Sequence, residues 1–481
     1  MSTPTSNIPA SRVQIQEPRT RSPLPPLSSP IAFKEQQGRP AQASQQTIAG
    51  KLSRNLFKGL LFSQLTLTSL LVIVLTIRGL ILASSHHFHP KKWYPPLLAS
   101  IGVSGVASLA WQCIFIHNPS RAVKATFWLS PILTCSVGIL LVLIGSAVDA
   151  GIGAVFVLFA ITQSLYGCWI TPRFEYTDKI LSLSTAFPPA RTREVVCLSI
   201  VISVVYSDFL VAGIGGATST RTNLDLLFIS VILISFAWTM QVLKNVQQVA
   251  VSRARYVNFA YGEDMDAWDG FRVSVKHLIG SICIGSTLVP IILLIRGTIR
   301  SVNLMSGSSD EVMYTGGDCF SSIANKMITC GNRWGFVHVG SYDKGFVEAS
   351  SDTWKKFRSR VGLEKVIDSD LTSSFCFLSA VSVGAVSSLT SGIWALLIHK
   401  DYALEVTLYA FIIGYFLGRV GLAWIQGCVL AYYVAYSEDP ESMRFDGTIQ
   451  NRIQRLQMLS ARRDNNMELG VGREREDGDD S

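Results

Sequence analysis

Nine stretches of this chain stay apolar for about twenty residues or more: 57–82, 95–117, 122–145, 148–170, 195–216, 224–246, 275–298, 372–398 and 403–434. A helix rises about 1.5 Å per residue, so each stretch can cross the roughly 30 Å of hydrocarbon in a bilayer. Inside that layer every backbone polar group needs a partner within the chain, and runs of this length meet the demand as helices. The fold class that follows is all-α, a polytopic membrane helical bundle. Composition agrees, with 48% apolar and only 16% charged residues, where soluble domains carry about 25% charged.

Loop charge sets the orientation and adds a tenth crossing. If the end bearing Lys51, Arg54 and Lys58 is cytoplasmic, alternate loops hold Arg121 and Lys124, then Arg173, Lys179, Arg191 and Arg193, then Arg253, Arg255 and Arg272. The opposite loops carry little beyond Lys91, Lys92, Arg221 and Arg300. This is a positive-inside pattern. The cluster Lys355, Lys356, Arg358, Arg360 and Lys365 then also belongs inside, which requires one more crossing after residue 298. The weakly apolar stretch 318–341 supplies it, giving about ten transmembrane helices with both termini cytoplasmic. Because lipid would not tolerate that stretch, it is expected to face protein or water.

Three regions follow. Residues 1–55 form a Pro-rich cytoplasmic tail, expected to be disordered, with Arg21–Pro30 as an extended segment. Residues 56–436 form the membrane domain. Residues 437–481 form a second cytoplasmic tail, in which Ile449, Ile453, Leu456 and Leu459 make one apolar stripe, a short amphipathic helix for the bilayer surface or the bundle's inner face. The polar stretch ahead of the first apolar run argues against a cleaved signal peptide. The formal charge of +8 lies in tails and loops rather than in one patch, which suits topology and not nucleic acid. Glycines spaced for close helix approach include Gly414 with Gly418 and Gly102 with Gly105. Gly213-Ile214-Gly215-Gly216 reads as a helix stop rather than a phosphate loop.

The chemistry concentrates in 224–261. Trp238, Gln241, Asn245 and Gln248 fall at i, i+3, i+7 and i+10 and make one stripe on a membrane helix. Such a stripe is costly to point at lipid. It serves either as hydrogen-bonded glue between helices or as the wall of a site for a polar or cationic solute. Asp208 lies within an apolar run, where an acid is a counter-ion or proton-coupling candidate, or else is wet near the outer interface. Arg419, in the middle of the last run, could pair with Asp208 or Glu405 or line an aqueous path. His86, His87 and His89 lack a carboxylate or Cys to complete a metal set and read as a solvated loop. No CxxC motif, Ser/His/Asp grouping, zincin motif or Walker sequence is present, so neither a catalytic residue, a metal nor a cofactor is expected. Cys319 and Cys330 could pair, but nothing requires it.

Four stretches carry a resemblance. Asn332–Ser350 (NRWGFVHVGSYDKGFVEAS) is similar to a signature of the choline transporter-like family. His277–Ser286, Trp238–Val249 and the acidic exit Ser437–Glu441 follow that family's motif order, over most of residues 55–460. The chain departs from it in a short first outer loop, in Ser252-Arg253 where an Ala-Gly step is usual, and in Val429-Leu430-Ala431 where some members have an acid. The short loop resembles plant or fungal members. The resemblance implies transport of choline or ethanolamine without ATP hydrolysis, at the plasma membrane or a Golgi-type endomembrane. Its partners would be that small cation and membrane lipids. A quaternary ammonium donates no hydrogen bond and is best held by aromatic faces. Trp238, Trp334, Tyr342 and Trp424 are then candidate walls, with Gln241, Asn245 and Gln248 for the hydroxyl end. Trp424 is also placed to be an interface anchor. Two other classes stay open: a non-transporting scaffold in lipid homeostasis or vesicle trafficking, and a membrane-embedded enzyme of phospholipid head groups.

Overall fold

A computed structural model describes residues 48–82, 90–218, 224–305, 326–398 and 400–459. The extended segment at 21–30, the loop histidines, Cys319, residues 318–325 of the weak run and the tail from 460 lie outside the described residues. The membrane helices are α1 (Ile48–Leu82), α2 (Pro90–His117), α3 (Pro119–Ile144), α4 (Ala147–Ile170), α6 (Thr192–Thr218), α7 (Asp225–Tyr261), α9 (Ile279–Met305), α13 (Thr372–Ile398) and α14 (Ala403–Gly421). Between them stand the shorter α5 (Phe174–Thr185), α8 (Ala267–Val273), α10 (Gly335–Tyr342), α11 (Phe346–Ser359) and α12 (Leu363–Asp368), followed by α15 (Ala423–Glu438) and α16 (448–459). Nine helices among the described residues are long and apolar enough to cross a membrane. The chain is a polytopic helical bundle, as the apolar runs require.

Small residues decide how close the helices come. On α14, a Cβ built on Gly414 would stand 2.9 Å from the Gly384 Cα of α13, and one on Gly418 would stand 2.9 Å from the Ala380 Cα. The α3–α4 pair is set the same way by Gly138 and Gly153, each facing the other's carbonyl. Where neither side carries a side chain the backbones can touch, which is how helices in lipid gain dispersion energy. Gly102 does not behave so, since nothing lies within 4 Å of its built Cβ, while Gly105 meets Val204 at 3.3 Å. Nor do Gly213–Gly216 stop a helix. Helix α6 runs on to Thr218, and Gly213 instead lets Val72 of α1 approach to 2.7 Å of a built Cβ. The membrane supplies no water to unravel a glycine-rich turn, so packing overrides the weak helix propensity.

The last apolar run is two helices, not one. Leu422, at φ −91° and ψ 1°, breaks it between α14 and α15. Arg419 therefore stands in the last turn of α14 rather than mid-span. Every residue of α15 from Ala423 to Ser437 is buried, so α15 is an interior strut with no outer face. It packs along α7, whose 37 residues extend to about 55 Å, some 25 Å more than the hydrocarbon layer needs. The excess carries an inner core of Tyr256, Phe357 and Tyr433, all fully buried. Helix α16 docks on that core. Ile449 is buried and Ile453 and Leu456 pack partly against it, leaving Leu459 exposed. Of the two places open to the amphipathic stripe, the structure takes the bundle's inner face.

Two contacts bring the start of α9 and the end of α10 to one place. Gly280 at the start of α9 lies against the Arg54 carbonyl, and the Asp343 carboxylate just after α10 pairs with Arg54 at 2.9 Å. Both therefore sit at the inner end of α1. Helix α9 leads away from that end, and Asp343 lies at it. The described residues between them are a helical piece at 326–330, a turn at 331–334 and then α10.

Candidate functional site

The turn before α10 is stitched rather than loose. Asn332 donates from its side-chain amide to the Ser350 carbonyl at 2.8 Å, and its backbone N–H donates to Ser350 Oγ at 2.7 Å. Its Oδ1 accepts from the Gly335 N–H at 3.1 Å, satisfying one of the free donors at the start of α10. Gly335 is required for this closeness, since a Cβ there would stand 2.7 Å from the Ser350 Cα on α11. The consequence is a fixed place for the next residue. Arg333 points from the break toward Asp370, its guanidinium 3.6 Å from a carboxylate that is 1% exposed. A broken helix at membrane depth is stable only where it is packed in protein or lines a cavity.

Here it does both. A cavity of about 1060 Å³ is bounded by α4, α7, α9, α13 and α14. Trp238, Gln241 and Asn245 line one side, facing Gln163 and Tyr166 of α4. Three cations line it as well: Lys244, Arg333 and Arg419. Among the described residues no carboxylate lines this space. Lys244 is 6% exposed, and neither it nor Arg419 forms an ion pair or hydrogen bond with a described residue. The pairing of Arg419 with Asp208 or Glu405 that the sequence allows is not made, while its place on a cavity wall is.

A second cavity of about 400 Å³ adjoins the first on the inner side and shares Tyr166, Arg333 and Ser374 with it. Its chemistry differs, because Arg173 and Arg333 on its wall have carboxylates beside them. Trp169, Trp334 and Trp354 line it together with Asp368 and Asp370. Each indole already carries a guanidinium over its face: Arg173 at 4.9 Å, Arg333 at 4.9 Å and Arg358 at 5.8 Å. Aromatic faces so placed attract cations through the ring quadrupole, worth about 0.5–2 kcal/mol per contact.

The residues singled out in the sequence are therefore dispersed. Trp238 donates to Thr287 Oγ1 at 3.1 Å and Asn245 to Ser286 Oγ at 2.8 Å, so both tie α7 to α9 while facing the main cavity. Glue and wall are one arrangement here. Gln248, one turn further on, is buried at the α15 contact, where Gly427 lies against its backbone carbonyl. Trp334 lines the second cavity. Tyr342 is at the inner surface, 40% exposed. Asp208 is half-buried on α6, within electrostatic range of Tyr94 on α2, and lines neither cavity. Trp424 is buried against Phe115 and anchors no interface. Lys244, Arg333 and Asp370 are the residues a stripe-following reading passes over. An ionisable residue inside an apolar run was the available signal for Lys244 and Arg333, while Asp370, just ahead of the run at 372–398, carried none.

Tyr342 belongs to a separate cluster outside the apolar runs. The Glu438 carboxylate accepts from Tyr256, from Lys356 Nζ at 2.5 Å and from Tyr342 at 3.3 Å, with His338 Nε2 at 3.1 Å. Burial opposes its charge, but the hydrogen bonds from His338, Lys356 and Tyr256 outweigh that and hold the carboxyl at about 2. An unfolded glutamate titrates near 4.3. Because the folded value is the lower one, the stabilisation is fully present above about pH 5 and is lost as pH falls through about 4 toward 2. Glu438→Gln should cost about 2 kcal/mol at pH 7 and flatten that acid limb. Unfolding midpoints of the two proteins in detergent at pH 7 and pH 3 check both, and equal pH dependence in the variant would show the cluster to be inert.

Comparisons with known proteins fall on this part of the chain. Residues 190–441 match the family described as plasma-membrane choline transporter, a stretch that contains Lys244, Arg333, Asp370 and Arg419. Protein PNS1 of Mycosarcoma maydis is 26% identical over 255 residues, covering 50% of this chain and 48% of that protein. Protein PNS1 of Eremothecium gossypii is 23% identical over 331 residues, covering 61% and 59%. For protein pns1 of Aspergillus fumigatus the figures are 24% over 183 residues, 36% and 34%. The chain thus spans about half the length of the first of these relatives.

Proposed function

This chain belongs to the choline transporter-like family, and we propose that it carries choline or a related organic cation such as ethanolamine across a bilayer without ATP hydrolysis. The observation that supports the reading is the inner cavity, where three indoles and Tyr166 surround two aspartates. A quaternary ammonium cannot donate a hydrogen bond, so it gains most from π faces and a nearby carboxylate. The cation is accordingly placed beside Trp334, Tyr166 and Asp370, with Arg333 swinging off the Trp334 face to admit it. Trp238, Gln241 and Asn245 line the path above, and the Gln241 and Asn245 amides are for the hydroxyl end. Tyr342, Gln248 and Asp208 stand off this path and take supporting roles at most.

Purified protein in liposomes should take up labelled choline saturably, and Trp334→Ala should raise the half-saturating concentration about tenfold, the loss of one or two cation–π contacts. Uptake no faster than in protein-free liposomes would overturn the transport reading. Normal uptake in Trp334→Ala would move the cation elsewhere.

A further inference from the structure

We propose that the main cavity is an anion site, in which Lys244 and Arg419 hold an oxyanion of the phosphate class. The inference goes beyond cation transport and rests on the cationic side chains of the main cavity rather than on the aromatic faces of the inner one.

The main cavity has three cationic side chains and no described carboxylate on its wall. Arg333 has Asp370 for company. The other two are left with each other. A charge removed from water at membrane depth is expensive unless a partner restores what hydration supplied. Lys244 is buried, sits on a membrane helix, and faces open space. Holding both side chains charged in one empty cavity is costly at low dielectric. A bound anion reverses both penalties at once.

The donor set favours an oxyanion over a halide. A guanidinium presents a planar fork that matches two oxygens of one phosphate or carboxylate, and an ammonium adds a third, freely rotating donor. Around them the side-chain NH2 groups of Gln241 and Gln426 are the neutral donors for remaining oxygens, since Ser286 gives its one hydrogen to the Ile282 carbonyl. Gln426 already donates to Ser373 at 3.0 Å, which fixes its orientation beside Arg419. The volume of about 1060 Å³ exceeds what inorganic phosphate needs. It leaves room for a phosphate monoester whose amine end reaches toward the aromatic inner cavity, so the two spaces complement the two poles of a zwitterion. Inorganic phosphate and the phosphate monoester of choline share the recognised group, and the test separates them.

Full-length protein in lipid nanodiscs is titrated with inorganic phosphate, with phosphocholine and with chloride at constant ionic strength, and the unfolding temperature is followed. Phosphocholine should raise it saturably, and inorganic phosphate should do so at concentrations at least tenfold higher if the ester is the preferred source. Equal potency would assign the site to free phosphate. Lys244→Gln and Arg419→Gln should each weaken the response tenfold or more, while Lys276→Gln, at an exposed position, should leave it unchanged. Lys244→Gln should also melt higher than the native protein without ligand, because it removes an unpaired buried charge, and a structural lysine would give the opposite sign. If either variant fails to fold, Arg419→Lys keeps the charge and loses the fork, and should lower affinity without abolishing the response.

Stabilisation by chloride with none by either phosphate, or stabilisation by phosphocholine that survives both substitutions, would overturn the proposal. The outcome is separable from cation transport. Choline uptake with no phosphate response removes only the anion site, and a phosphate response without choline uptake removes only the transport reading.

Discussion

Arg333→Leu is expected to destabilise the protein by about 3–5 kcal/mol, the usual cost of stripping one partner from a buried ion pair. The reason lies in what Asp370 would keep. Its Oδ1 accepts from the Thr372 hydroxyl at 2.7 Å and from the Thr372 N–H at 3.3 Å, but its Oδ2 has no hydrogen bond and faces only the Arg333 guanidinium. With Arg333 gone, a carboxylate 1% exposed would stand uncompensated in protein. Asp370→Leu should cost less, because the stranded group would be Arg333, 20% exposed and still stacked over Trp334. The double variant should recover more than half of the Arg333→Leu loss, since two apolar side chains need no partners. A double-mutant cycle by unfolding in detergent measures this. Additive losses would mean that the pair is geometric only. The same cycle read by choline uptake is informative, because Arg333 stands on the wall common to both cavities.

The second large effect is expected at Gly414. Replacement by Leu would drive a side chain into Ser387 and the Gly384 backbone of α13, where even a single Cβ would lie 2.8 and 2.9 Å from its neighbours. Overpacking of flexible side chains costs about 1–3 kcal/mol. Here the obstacle is main chain, which cannot rotate away, so about 3 kcal/mol or more is expected. Gly102→Leu is the matched control, because nothing lies within 4 Å of that position. Melting temperatures of the two variants in one detergent should differ by several degrees, and indistinguishable values would show that α13 and α14 can separate without penalty. The displaced α14 also carries Arg419, so Gly414→Leu should weaken phosphate stabilisation as well as the fold.

What the sequence determined by itself is the part fixed by local composition. Apolar length decides whether a helix can lie in lipid, and loop charge decides which end stays inside. Neither depends on neighbours, and both are legible in the runs from 57–82 to 403–434. The docking of α16 by Ile449, Ile453 and Leu456 was half-legible, since amphipathic spacing gives the face but not the surface that receives it. The NRWG turn was visible as a motif, yet its role was not. That role needs Ser350, eighteen residues on, to hold Asn332 and so aim Arg333.

The candidate site was decided by tertiary structure. Helical spacing placed Trp238, Gln241 and Asn245 on one face and they do share one cavity, but the same rule carried the stripe on to Gln248, which α15 covers. The reason is that α15 lies against α7 at Gln248, where Gly427 meets its carbonyl, and no periodicity within α7 reports where another helix begins. Charge shows the same limit. Lys244, Arg333 and Arg419 stand far apart in sequence, and only the meeting of α7, the break before α10 and the end of α14 makes them one electrostatic environment.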